Sequence, residues 1–248
     1  MEKLSLQSIT AIRRIIGQAK LEGRKVMTEL ESKDMLAEAD IPITKHVLAK
    51  SVEEAQAAAA SMEYPLVMKI VSPTILHKTD AGCVSLNVDS VDAVTEQFKQ
   101  IILRGQKIAA PEEIWGVAVQ EMVPGGQEII VCVKRDQIFG PTILLGMGGI
   151  LVELLKDVSL RLVPLSREDV WEMLSEVKGS KLLSGYRGSF PLDQEKVVEI
   201  VLKVSALAQE FPEIEEMDLN PIVIYEAGMG AKVVDARIIL NIEKKEVD

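Results

Sequence analysis

The chain has 248 residues, enough for one large domain or two small lobes with real cores. With 48% apolar residues and a net charge of −10, it reads as a globule without the basic patch of a nucleic-acid binder. Small anionic ligands remain compatible with that balance, because a few lysines and glycine amides suffice to hold a phosphate.

No apolar run approaches the ~20 residues that span a bilayer, so no membrane partner is expected. "MEKLSLQSITAIRRIIG" offers neither a long apolar core nor a small-residue cleavage site, so no signal peptide is expected either. Cys83 and Cys132 sit in apolar, strand-like runs and read as reduced, buried thiols. The expected compartment is the cytoplasm.

Ile9, Ile12, Ile15, Ile16 and Ala19 recur at helical spacing and predict a helix over 8–22. A second helix is expected over 31–39, stopped by Pro42. "ITKHVLA" reads as a short strand. Ser51, with Glu54 three residues on, is a capping-box pattern that opens a helix. "YPLVMKIVS" and "CVSLNV" are strands, and "SVDAVTEQFKQIILRG" is a helix ending at Gly105. "EIWGVAVQEMV" is a strand, and "QEIIVCVKRD" its expected hairpin partner across the turn "PGG". "GPTILLGMGG" is a strand running into glycine. Ser166 with Asp169 marks another helix start, and 192–211 is the longest helix. Two strands around the loop "AGMG" close the chain. The pattern predicts an α+β or mixed α/β fold with largely antiparallel sheets, its lobe boundary at 124–126.

The sequence has no G-x-x-x-x-G-K-[ST], no complete G-x-G-x-x-G, no zinc-type Cys/His spacing and no G-x-S-x-G elbow. Other groups stand out. Lys69 lies within "PLVMKIV", either snorkelling along apolar neighbours or pairing with a phosphate. Gly82, after "HKTDA", is either plain turn chemistry or part of a loop whose amides cover a polyphosphate, with Lys78 adding charge. In "VQEMVPGGQEIIV", Glu121 and Glu128 are surface carboxylates or parts of a hinge. On the hinge reading, the backbone of Glu121, Met122 and Val123 meets an adenine edge and Glu128 meets ribose hydroxyls. Asp218 and Asn220 are two apart on one strand, hence on one face, and Asp235 follows inside "VVDARI". If those strands pair, Asn220 and Asp235 converge as oxygen donors suited to Mg²⁺; otherwise they form a polar strand edge. Gly146, Gly148, Gly149, Glu153, Asp157 and Arg161 form a glycine turn with flanking charges, a weak anion-binding pattern by itself.

In this order, "YPLVMKIVSPTILHKTDAGCV", "VQEMVPGGQEIIV", "GPTILLGMGGILVELLKD", "RLVPLS", "LLSGYRG" and "EEMDLNPIVI...VVDARI" resemble the ATP-grasp fold, and more narrowly the β subunits of ADP-forming acyl-CoA synthetases. The resemblance implies two lobes holding ATP or ADP between them. An N-terminal helical segment would span 1–30, a phosphate-binding lobe 31–123, and a metal and nucleotide lobe 124–248. It implies the reaction acyl-CoA + ADP + phosphate ⇌ acid + CoA + ATP, with acetyl-CoA the first expectation and Mg²⁺ the metal. It further implies an α subunit carrying the CoA site and a phosphorylated histidine, in an α2β2 assembly. His77, at the matching "LHK" position, would relay that phosphate to ADP. Lys78 and the glycine amides would steady the transferring oxygens. Cys83 stands where the family usually has a second glycine, which stiffens the loop. His46 has no such company and reads as structural. Two other functions fit less of the pattern. A succinyl-CoA ligase-like β subunit is usually longer and carries a "GGRGKAGG"-type loop, and a nucleotide-sensing module would bind ADP without catalysis.

Overall fold

The structure, a computed structural model, describes residues 3–75, 77–149, 157–186 and 188–241. In chain order the first elements are α1 (Leu6–Leu21), α2 (Glu29–Glu38), β1 (His46–Ala49), α3 (Val52–Ala59), β2 (Leu66–Val71), β3 (Val84–Val88), α4 (Val91–Gly105) and β4 (Gly116–Glu121). There follow β5 (Gln127–Asp136), β6 (Gly140–Met147), β7 (Val158–Leu162), α5 (Arg167–Glu176), α6 (Gln194–Glu210), β8 (Ile214–Ile224), β9 (Ala231–Val233) and β10 (Ala236–Leu240). Among the described residues no helix is long and apolar enough to cross a membrane.

The chain forms two compact units: residues 44–124, and residues 1–43 together with 125–248. The smaller unit is a four-stranded antiparallel sheet in the order β1-β4-β2-β3. Its helices α3 and α4 cover one face. Ala55, Ala58, Phe98 and Ile101 pack there against Leu66, Met68 and Ile70 of β2 and Val117 and Val119 of β4. Alternation along a strand then sends Lys69 to the opposite face.

The larger unit has a sheet in the order β10-β8-β5-β6-β7, with β9 also paired to β8, all antiparallel. Helices α1, α2, α5 and α6 share its core: Ile12, Ile16, Met35, Leu36, Met173 and Val201 join Ile129, Val131 and Val133 of β5 and Leu219 and Ile222 of β8. Arg135 closes the C-terminal end of α6, donating to the carbonyls of Ala208 and Phe211 and to that of Ile214.

Two expectations need correction. Residues 1–43, expected as a helical segment over 1–30 and the start of a lobe over 31–123, join the unit that holds 125–248. Met27 N–H donates to Ile238 O, Leu240 N–H to Lys25 O and Val233 N–H to Pro42 O, so the N-terminal segment is stitched to the C-terminal strands. The strands on either side of "PGG" are not a hairpin either. β4 lies between β1 and β2, and β5 lies between β8 and β6 in the other sheet. The turn signal was real, but it marks the passage from one unit to the next.

Candidate active site

In the smaller unit, β2 and β3 are antiparallel neighbours joined by a loop over 72–83. The loop is anchored at both ends. Ser72 Oγ accepts the N–H groups of Thr74 at 3.2 Å and Ile75 at 3.3 Å, and Ile75 is buried in the core. At the far end Cys83 is fully buried in the same core, and its carbonyl accepts Ile70 N–H at 3.0 Å. Burial pushes the Cys83 thiol up, partly opposed by the Arg104 charge. Between these anchors His77 is exposed and Lys78 half-buried. An accessible imidazole on a tethered loop is the geometry that a group transferring a phosphoryl needs.

The amides expected to cover a polyphosphate are bonded inside the loop instead. Ala81 N–H donates to His77 O at 3.1 Å, Gly82 N–H to Thr79 O at 2.9 Å and Cys83 N–H to Lys78 O at 2.8 Å. Gly82 is required by its φ of +64°, which L side chains rarely adopt. Its carbonyl accepts a hydrogen bond from Arg104 Nη1 at 2.7 Å.

Lys69 is buried, at 8% exposure, between Val84 of β3 and Ala118 of β4 in register. At the end of β4, Glu121 is turned to a structural task. Its Oε1 accepts Lys45 N–H at 2.9 Å, and its own N–H donates to Lys45 O at 3.0 Å. Met122 and Val123, which follow it, are half-buried and outside any strand.

In the larger unit one face of the sheet is covered by helices, and Glu128, Asp218 and Asn220, each next to a core residue in its strand, fall on the other. Glu128 is the second residue of β5, opposite Val223. It explains the glycines of "GMGG": Gly148 N–H donates to Glu128 O at 2.8 Å, and a Cβ on Gly148 would lie 2.8 Å from Glu128 Cβ. The Glu128 carboxylate lies 3.5 Å from where a Cβ on Gly149 would be. Close backbone approach to Glu128 therefore requires glycine at 148, and a φ of +65° favours it at 149, whatever either does for an anion.

Asn220 and Asp235 meet. Ile129 and Val131 of β5 are two apart, but their partners Ile222 and Leu219 on β8 are three apart. The extra residue is a bulge at Asn220–Pro221 that keeps Leu219 and Ile222 both in the core. Across from it, Val234–Asp235 interrupts the run between β9 and β10. Asn220 N–H donates to Asp235 O at 3.2 Å, and Val234 N–H to Pro221 O at 3.0 Å. Asn220 is exposed, and Asp235 and Asp218 are half-buried. Two carboxylates and an amide on neighbouring strands are oxygen donors of the kind that a hard cation such as Mg²⁺ takes alongside phosphate oxygens and water.

Other candidates are structural. Asp157 accepts the N–H groups of Lys178 and Gly179 at 2.9 and 2.7 Å, and Arg161 pairs with Glu176. Glu153 lies outside the described residues. The thiol of Cys132 is not in the apolar core. It faces Asp218, and burial, then the Asp218 charge, pushes it up. A cleft of about 760 Å³ in the larger unit is lined by Lys25, Arg135, Asp136 and Glu215, and by none of the residues singled out in the sequence.

A profile of the ATP-grasp domain matches residues 18–240. The chain is 42% identical to the β subunit of ADP-forming acetate–CoA ligase I of Pyrococcus furiosus, over 95% of this chain and 100% of that one. It is also 42% identical to the ADP-forming 4-hydroxybutyrate–CoA ligase of Nitrosopumilus maritimus, over 91% of this chain and 32% of that one. Among solved structures, an acetyl-coenzyme A synthetase 1 of Ca. Korarchaeum cryptofilum superposes with a TM-score of 0.82 at 40% identity, over 93% of this chain and 100% of that chain. It was solved with coenzyme A and Mg-AMPPCP, its phosphohistidine segment pointing towards the nucleotide-binding site. The two antiparallel sheets and these matches define an ATP-grasp protein. Within that family the chain belongs with the β subunits of the ADP-forming acyl-CoA ligases.

Proposed function

We propose that this chain converts ADP to ATP with a phosphoryl group delivered through His77, as the nucleotide-handling half of an acyl-CoA ligase. The observation that carries the reading is His77 itself, exposed on a loop whose two ends are held by Ile75 and Cys83 in the core. In the transfer an ADP β-phosphate oxygen attacks the phosphorus of phosphohistidine. The N–P bond breaks, and the imidazole leaves as the neutral ring after taking up a proton. Lys69 and Lys78 neutralise charge on the moving oxygens. The backbone at Glu121, Met122 and Val123 and the carboxylate of Glu128 serve the adenosine end, and Gly82 shapes the loop. Asn220, Asp235 and Asp218 hold Mg²⁺, which when bound offsets phosphate charge.

The phosphate reaches His77 from a phosphohistidine on an α partner that also carries the CoA site, in an α2β2 assembly. Acetyl-CoA is the proposed acyl donor. Equal identity to an acetate and a 4-hydroxybutyrate ligase supports placing acid selection in the α partner rather than in this chain. The two free thiols agree with a cytoplasmic setting.

The test uses His77→Ala in the complex with the partner. Acyl-CoA-dependent ATP formation should vanish while ADP affinity stays at the wild-type value. Undiminished ATP formation would return the histidine to a structural role. A chain that binds ADP but never supports turnover, with or without partner, would instead be a sensor.

A further inference from the structure

Val131 and Val133 of β5 point into the core, so Cys132 between them points to the other face of the sheet. Its register partner on β8 is Asp218, and its thiol donates to Asp218 Oδ1 at 3.2 Å. On the opposite side Arg237 of β10 is in register with the same aspartate. We infer that Cys132 is a positioning residue of the metal–nucleotide site, holding the Asp218 carboxylate in place beside the bulge that presents Asn220. The inference rests on the reading of Asp218, Asn220 and Asp235 as the cation's oxygen donors.

The chemistry suits the role. A half-buried carboxylate still rotates unless something engages it, and disorder in a donor weakens a site. The S–H bond is a weak donor, so it orients Oδ1 without competing strongly for its electrons. A thiol is uncharged while it keeps its proton, so it does not repel a divalent cation as an ammonium or guanidinium at that place would. The bond also leaves Oδ2 outside it. Cys132 is thus a group whose effect passes through Asp218.

Mn²⁺ in the presence of ADP is the probe, read by electron paramagnetic resonance on the full chain. Three variants are compared with wild type: Cys132→Ala, Cys132→Ser and Asp235→Asn. Asp235→Asn should weaken Mn²⁺ binding about tenfold or more, since it removes a charged donor. Cys132→Ala should weaken it about fivefold or more, because the group that orients Asp218 is lost. Cys132→Ser keeps a donor and should restore affinity to within about twofold of wild type. A second readout is the infrared S–H stretch, assigned by its loss in Cys132→Ser, which should shift when Mn²⁺–ADP binds. Should Cys132→Ala fail to fold, the serine variant and the S–H band decide.

Wild-type affinity in Cys132→Ala alongside a weakened Asp235→Asn would overturn the role of Cys132 alone. So would a serine variant as weak as the alanine one, or an S–H band that ignores the cation. Wild-type Mn²⁺ affinity in Asp235→Asn would instead remove the underlying metal reading.

Discussion

A lysine in a buried strand keeps its charge only beside negative or polar company, because burial disfavours the ammonium. Lys69 sits in such a strand, on the face turned away from its unit's helices. Lys69→Ala is expected to raise the ADP dissociation constant about tenfold or more, ~1.4 kcal/mol. Calorimetric titration with ADP reads it, and an unchanged constant would make Lys69 a strand residue and nothing more. The glycines near Glu128 give a second expectation. Gly148→Ala places a Cβ 2.8 Å from Glu128 Cβ and 2.9 Å from its carbonyl carbon, with backbone on one side of the clash. It should destabilise the fold by about 1–3 kcal/mol, seen as a lower urea midpoint. His77, Lys69 and the Asn220–Asp235 pair could all be picked out of the sequence, because each stands in a short string with its own chemistry. Cys132 reads as a buried thiol but is only half-buried and faces Asp218, and the signal for that was available. Val131 and Val133 flank it, and strand alternation sends a residue between two core positions outward. Arg104 on Gly82 was not legible, because nothing local relates α4 to a loop 22 residues earlier in the chain.

At the level of elements, helix starts were read from local chemistry and mostly recovered. Ser166 and Asp169 form the expected reciprocal cap. At Ser51 the hydroxyl accepts Glu54 N–H, but the Glu54 carboxylate takes Lys50 N–H instead. The second helix begins earlier than expected, at Glu29, because Thr28 and Glu31 cap it reciprocally. That pattern also stood in the sequence. Arg24 adds a fork on the Glu31 carboxylate at 2.6 and 2.9 Å, so this cap is tied to the loop before it. Thr28→Ala should cost about 1 kcal/mol, measured as a shift in thermal or denaturant midpoint, and a shift near zero would show that Arg24 alone holds the turn. Strand partners were less legible than strands. Pairing β4 with β5 followed the rule for a glycine turn between two apolar runs, yet both strands found longer-range partners, and sequence distance carries no information on which edge a strand will meet.

The order of weak motifs along the whole chain carried the family, while the division into units did not follow the chain. The C-terminal strands reach back to Met27 and Pro42, a closure visible only in three dimensions. Lys45 and Glu121, near the two ends of the smaller unit, exchange a backbone bond and a side-chain bond, so the peptide enters and leaves that unit at one clasp. A piece whose entry and exit coincide behaves as a cassette. Residues 44–124, expressed alone, should therefore melt cooperatively and give a dispersed amide spectrum, and joining their ends through a short glycine linker while opening the chain near Ile108 should preserve that spectrum. A fragment that stays collapsed without dispersion would show that the clasp closes only when the rest of the chain holds it shut.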